Sequence, residues 1–189
     1  MIEQLYKTID PRKITYEAYT FQSYAIIEGA KVPMFYSDLE EGILEYDILF
    51  REEALREKLQ TRGPFFVQLD FESEDAKEES MQLLEQCYGK NAMLLFATPL
   101  HFAEALEKMR EIFYLKDEAG EVEGIIRFYE PLVFEELMHY AKKEDQTALF
   151  SNIYCYWCEE KDPHIVVQYR YLPEGVGYKK IDLNNKENL

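Results

Sequence analysis

Cys155-Tyr156-Trp157-Cys158 sets two thiols three residues apart, and His164 follows shortly after. At the opening of a helix that spacing could run thiol–disulfide exchange, and a zinc site could use it with further ligands. The surrounding IYCYWCEE has strand composition, and along a strand residues three apart point to opposite faces. The two thiols then diverge, so ordinary core or edge cysteines are expected, with no metal site. Nucleophilic catalysis would need a histidine beside a thiol or hydroxyl. The three histidines are His101, His139 and His164. The first two fall on predicted helices with no evident carboxylate to orient them. Adjacent acids such as Glu40-Glu41, Glu78-Glu79 and Glu159-Glu160 are expected by chance among 37 acidic residues, and read as solvated faces. The glycines form neither G-x-G-x-x-G nor a Walker pattern. No catalytic residue and no cofactor is expected.

Arg127 in Gly124-Ile-Ile-Arg-Phe-Tyr-Glu-Pro131 raises a sharper question. Read as a strand, Ile125, Arg127 and Tyr129 share one face, and Ile126, Phe128 and Glu130 the other. An arginine on a half-apolar face must find acceptors, because an unpaired buried charge is costly. Glu130 directly precedes Pro131 and so falls at the N-cap position of the next helix. Two readings stand. Arg127 is a structural brace pinning the hairpin to that helix, or it is a partner-facing contact. Arg127, Tyr129 and Glu130 are the candidate partner-binding residues.

The elements that must place these groups follow from periodicity and punctuation. A short helix is expected within 1–20, and a strand over 21–30. The stretch 35–50 reads as loop-like and 51–60 as helix, stopped at Gly63-Pro64. A central strand (64–71) precedes a helix opened by Ser73, whose core face is Ala76, Ser80, Leu83, Leu84 and Cys87. AMLLFAT (92–98) is a second buried strand. The helix after it has Pro99 in its first turn and the stripe Phe102, Ala105, Leu106, Met109 and Phe113. This strand–helix–strand–helix order predicts a crossover on a partly parallel sheet. A hairpin turning at Glu118-Ala119-Gly120 comes next. Two helices follow, then a hairpin turning at Lys161-Asp162-Pro163. The fold class is α+β: a mixed sheet with flanking helices and a small helical lobe inserted between two C-terminal hairpins. The organisation expected is an N-terminal extension (1–20), one domain (21–172) and a frayed polar tail (173–189). Within the domain lie a sheet lobe (about 21–130), the helical lobe (about 131–151) and the final hairpin (152–172).

The chain's 189 residues carry 21 Lys and Arg against 37 Asp and Glu, a net charge of −16. That sign opposes nucleic-acid backbones and anionic membrane surfaces, and leaves basic or apolar protein partners open. The longest apolar run falls far short of the roughly 20 residues a spanning helix needs, so no membrane insertion is expected. MIEQLYKTID lacks the basic start and apolar run of a signal peptide, and three cysteines make no disulfide framework. Together these point to the cytoplasm.

YAIIEGA (24–30), GPFFVQLD (63–70) and RFYEP (127–131), in this order with the intervening helices, resemble the type VI secretion effector adaptor family, the Tap/TEC chaperones. The likeness covers about 20–160. In that family the first motif ends Asp-Gly-Ala and the third reads Arg-Phe-Tyr-Asp-Pro; here Glu28 and Glu130 stand in the aspartate positions, with the same charge on a longer arm. The resemblance implies a non-enzymatic cytoplasmic chaperone of a Gram-negative bacterium. Such a protein holds the N-terminal or PAAR-adjacent region of an effector toxin and assists its loading onto the secretion spike. The effector is then the partner, with the spike protein as a further contact. A groove between a sheet lobe and a helical lobe would cover the cargo, aromatics meeting its apolar part and surface acids its basic part. The alternatives are an immunity-type toxin-binding protein and a small enzyme with an unrecognised site.

Overall fold

The computed structural model describes residues 1–16, 18–116 and 119–185. The α-helices are α1 (Ile2–Thr8), α2 (Phe35–Glu41), α3 (Glu53–Lys58), α4 (Glu74–Cys87), α5 (Phe102–Phe113), α6 (Pro131–Tyr140) and α7 (Lys143–Phe150). The strands are β1 (Gln22–Glu28), β2 (Tyr46–Ile48), β3 (Pro64–Leu69), β4 (Met93–Thr98), β5 (Tyr114–Lys116), β6 (Val122–Ile125), β7 (Cys155–Glu159), β8 (Ile165–Leu172) and β9 (Gly175–Asp182). Seven strands form one sheet in the order β2-β3-β1-β4-β7-β8-β9, while β5 and β6 pair separately as a ribbon. The chain is α+β, as its pattern of elements predicts.

The sheet differs from the expected one in strand direction. Every neighbouring pair is antiparallel. The strand–helix–strand unit β3–α4–β4 does join two strands of the same direction, but β1 lies between them and pairs with both. The misreading has a physical source. Both faces of this sheet are covered, so β4 is buried along its whole length and shows the unbroken apolar run usually seen in parallel sheets. On one face Ala25, Ile27, Phe65, Val67, Leu95 and Trp157 pack with residues of α1, α2 and α4. On the other Tyr24, Ile26, Phe66, Phe96 and Tyr156 pack with α5, α6 and α7. The core stripes of α4 and α5 contain the residues their spacing predicts, with Phe102 at the margin.

Several boundaries move. The stretch 35–50 is not a loop: it supplies α2, whose Phe35 and Leu39 enter the core, and the edge strand β2. Pro99 lies ahead of α5, which starts at Phe102; Glu104 accepts from the His101 backbone N–H (3.3 Å). The segment 1–20 is anchored by Leu5, Tyr6 and Ile9, all buried against α4's face of the sheet. The tail expected to fray forms β9, paired with β8 from Ile165↔Asp182 to Leu172↔Gly175. β9 was missed because its inward residues are few, chiefly Ile181 on one face, so its alternation is faint. Of the expected turn at 118–120, Glu118 lies outside the described residues, and Gly120 adopts φ +86°.

Cys155 and Cys158 do diverge. Cys155 joins Trp157 on the α4 side, whereas Cys158 joins Tyr156 on the α6 side. Burial pushes the Cys155 thiol up to about 12, the direction of an inert core cysteine.

Candidate functional site

The strand expected to carry Arg127 stops at Ile125. Ile126 donates its N–H to the Phe113 carbonyl (2.8 Å), and the chain then turns, with Glu130 N–H bonded to Arg127 C=O (3.0 Å). The turn replaces strand alternation, so Phe128 and Tyr129 are both buried, 0% and 2% exposed, instead of taking opposite faces. It also swings the Arg127 and Glu130 side chains together, with Arg127 Nε 2.7 Å from Glu130 Oε1. Glu130 occupies the N-cap position of α6 without capping it. Its second oxygen meets Lys31 Nζ at 3.1 Å instead. The longer glutamate arm is what reaches these cations rather than its own helix's N–H groups.

Glu28, at the end of β1, is the centre of the cluster. Its side chain is 6% exposed and its Oε2 accepts from both Tyr129 OH (3.0 Å) and Arg127 Nη2. The Arg127 guanidinium lies 6.0 Å from the centre of the Tyr129 ring, and 47% of its side chain faces solvent. Burial works against the Arg127 charge, but the Tyr129 hydroxyl and the Glu28 carboxylate outweigh it and hold the guanidinium above its usual range. Burial also lifts the Tyr129 hydroxyl well above its ordinary range, so it stays a neutral donor to Glu28.

The neighbouring Gly29 donates to the Gly63 carbonyl (3.2 Å), and Glu28 pairs in register with Pro64. A Cβ on Gly29 would lie 2.4 Å from Phe65 Cε2 and 3.2 Å from Gly63 O. The ends of YAIIEGA, GPFFVQLD and RFYEP, up to a hundred residues apart in sequence, therefore meet at one corner of the sheet. Gly29→Ala is expected to destabilise the fold by about 1–3 kcal/mol, because the clash involves a core ring and a backbone carbonyl. Thermal unfolding measures it; an unchanged melting temperature would show that Phe65 can move aside.

Beyond the corner, Lys31 Nζ donates to the Asn91 carbonyl (2.8 Å). Asn91 N–H and Gly89 N–H, in a turn with φ +50° and +82°, donate to Glu159 Oε2 at 3.1 and 2.9 Å. Glu159 is 9% exposed and its other oxygen has no partner among the described residues. Sequence reasoning classed Glu159 with solvated acid pairs; only its place at the buried end of β7 distinguishes it.

A second network was also missed. Arg110, its side chain 11% exposed, ties α5 to the β2 edge through Asp47 Oδ2 (3.1 Å) and the Ile48 carbonyl (2.8 Å), and pairs within its own helix with Glu107 (2.8 Å). Arg56 grips Asp47 from α3.

The cleft expected between a sheet lobe and a helical lobe narrows to a pocket of about 120 Å³ between α6 and strands β7–β9. Phe134 of α6 and Phe150 of α7 pack on Tyr156 with ring centres 4.9 and 5.2 Å away. Among the described residues no cluster of three or more His, Cys, Asp or Glu could hold a metal, and no helix is long and apolar enough to cross a membrane. Fold and site together define an α+β protein with a two-face-covered antiparallel sheet and an ion-paired corner. Comparison of the chain with protein-family models, curated proteins and solved structures finds no match.

Proposed function

We propose that this protein works by gripping another polypeptide, as a cytoplasmic, non-enzymatic chaperone or adaptor for a type VI secretion effector in a Gram-negative bacterium. It holds the effector's N-terminal or PAAR-adjacent region and assists its loading onto the secretion spike. The observation that supports this reading is the corner where Glu28, Gly29, Gly63, Arg127 and Tyr129 meet. The three short motifs that carry the family likeness lie side by side there, which supports reading them together. Arg127 braces this corner and keeps nearly half its surface in solvent, where a partner can reach it.

Co-expression with the two halves of an effector encoded beside it tests the reading. The expected result is co-purification with the N-terminal half. Capture of the catalytic half with loss of toxicity would replace the chaperone by an immunity protein. Capture of neither would remove the effector assignment.

A further inference from the structure

The seven-stranded sheet ends in two edges of different character. At β2 the edge is three residues long, and Arg56 and Arg110 close it by donating to the Ile48 carbonyl (3.3 and 2.8 Å). At β9 it is eight residues long, about 26 Å. Leu183 N–H bonds to the His164 carbonyl (2.7 Å), which fixes the phase of the β8–β9 ladder. Counting back from it, Ile181, Lys179, Gly177 and Gly175 turn their backbone groups to β8, and Lys180, Tyr178 and Val176 turn theirs outward. Among the described residues no backbone hydrogen bond from another segment reaches those three. A row of open N–H and C=O groups this long is a template for one more strand.

The side chains flanking this edge differ between its two faces. Toward α6, Tyr178 is 62% exposed and its ring lies 6.4 Å from that of the exposed His139. Both line the pocket of about 120 Å³ that runs up to β9. Lys180 on this face is already taken by Glu160 (2.5 Å). Toward α4, Lys179 is exposed and forms no ion pair among the described residues. Arg170 of β8 shares that face, since it pairs in register with Gly177 as Gln168 does with Lys179. Its guanidinium lies 4.5 Å over the Tyr154 ring, its Nε is buried without a hydrogen-bond partner, and no carboxylate among the described residues pairs with it. One face of the edge thus offers rings beside a pocket, and the other offers unpaired cations.

The two faces select the occupant, because the side chains of an added strand alternate between them. We propose that the β9 edge takes up an extended segment of the partner polypeptide as an eighth strand, with acidic residues on the Lys179 side alternating with apolar or aromatic residues on the Tyr178–His139 side. Main-chain hydrogen bonds to Val176, Tyr178 and Lys180 supply affinity, and the pocket beside Tyr178 reads a side chain. Salt screens charges beyond about 8 Å, so Lys179 acts on such a strand more than the chain's distant acids do. A second copy is the wrong occupant: antiparallel pairing of two β9 edges brings the Lys179-Lys180 pairs of the copies close together, and like charges across a strand pair repel. The inference rests on the reading of the protein as a polypeptide binder and specifies the surface and the chemistry it binds.

A fluorescein-labelled nine-residue peptide in which glutamate alternates with valine is the probe, read by fluorescence anisotropy. A Lys/Val counterpart and a Glu/Val peptide of helical spacing are the controls. The wild-type protein is expected to bind the alternating Glu/Val peptide in preference to both. Methylating the backbone nitrogens of the valines or of the glutamates should abolish binding in one case and spare it in the other, because an added strand bonds through one edge only. Lys179→Glu should weaken binding at least about tenfold by setting a like charge against the peptide's glutamates. The same reversal at the exposed Lys58 of α3, beside β2, should change it by less than about twofold. Tyr178→Pro removes an outward N–H and leaves the ladder to β8, so binding should be lost while circular dichroism shows the fold kept. If the proline variant fails to fold, Lys179→Glu and the methylated peptides carry the test. Equal loss from both methylated peptides, equal binding of the Lys/Val peptide, or a dimer of the free protein that Lys179→Glu or Tyr178→Pro dissociates overturns the proposal. The effector test separates this inference from the functional reading. A Tyr178→Pro protein that loses the peptide but still captures the effector's N-terminal half overturns this seat and leaves the chaperone reading standing. A wild-type protein that binds the peptide at β9 but captures neither effector half keeps the seat and removes the effector.

Discussion

Glu28→Ala is expected to lower the melting temperature by about 6–12 °C, the effect of about 3 kcal/mol in a chain of this size. The carboxylate is 6% exposed and serves two donors at once. Its removal leaves the Tyr129 hydroxyl buried without its acceptor, at about 1–3 kcal/mol, and strips Arg127 of one of its two carboxylates. Arg127→Ala should cost less, about 1–2 kcal/mol, because its side chain is half in solvent and Glu28 keeps Tyr129. The pair of variants separates the two roles weighed for Arg127. If Arg127→Ala lowers stability by the expected amount and binding falls with it, the arginine is a brace. If the fold barely notices while effector capture fails, it is a contact. Glu28→Asp, which restores the aspartate of the resembled motif, should fall between, since the shorter arm retracts from both donors. A melting temperature within about 2 °C of wild type for Glu28→Ala would remove the corner from any account of the fold's stability.

Glu159→Gln is expected to raise stability at neutral and alkaline pH. Burial pushes this carboxyl from 4.5 up to about 7, against the pull of the Asn91 and Gly89 N–H groups and of Lys31. The folded state thus holds the Glu159 proton across a pH window in which the unfolded chain has released it. Stability from this group is fully present below about pH 4.5 and is lost as pH rises to about 7. At about 1.4 kcal/mol per pH unit the loss is about 3 kcal/mol. Glutamine keeps an acceptor for Gly89 and Asn91 and carries no charge. Melting curves of the two proteins should coincide near pH 4.5 and diverge by about 6–12 °C by pH 8, glutamine the more stable. The acids held below their usual range by partners, such as Asp10 beside Arg12 and Glu107 beside Arg110, act at lower pH and are common to both proteins. A difference that does not change with pH would show that Glu159 is charged at little cost.

What was legible in the sequence is what local physics decides. The apolar stripes of α4 and α5, the Ser73 cap (Ala76 N–H to Ser73 Oγ, 3.2 Å), Pro131 at the first turn of α6 and the divergence of Cys155 from Cys158 all follow from period and punctuation. The class α+β follows from the same reading. So does the suspicion that Arg127 must be paired, because a charge among apolar neighbours has to find acceptors wherever the chain goes.

Tertiary structure decided the rest, for reasons no window of sequence contains. Strand direction was settled by β1 sliding between β3 and β4, a long-range choice that local apolar runs cannot report. Glu159 read as one among 37 acids and Glu28 only as a motif position; burial and the donors brought to them from distant segments set both apart. The Arg127 turn overrode strand alternation because both Phe128 and Tyr129 gain by burial, which no two-face strand at that position allows. Two acidic grooves beside α4, one toward α2 and one toward α1, exist only because three helices scattered over the first half of the chain pack on one face of the sheet. Composition dictated that the surface would be negative; packing alone determined where acids such as Asp75 and Glu78 gather without an ion-pair partner among the described residues.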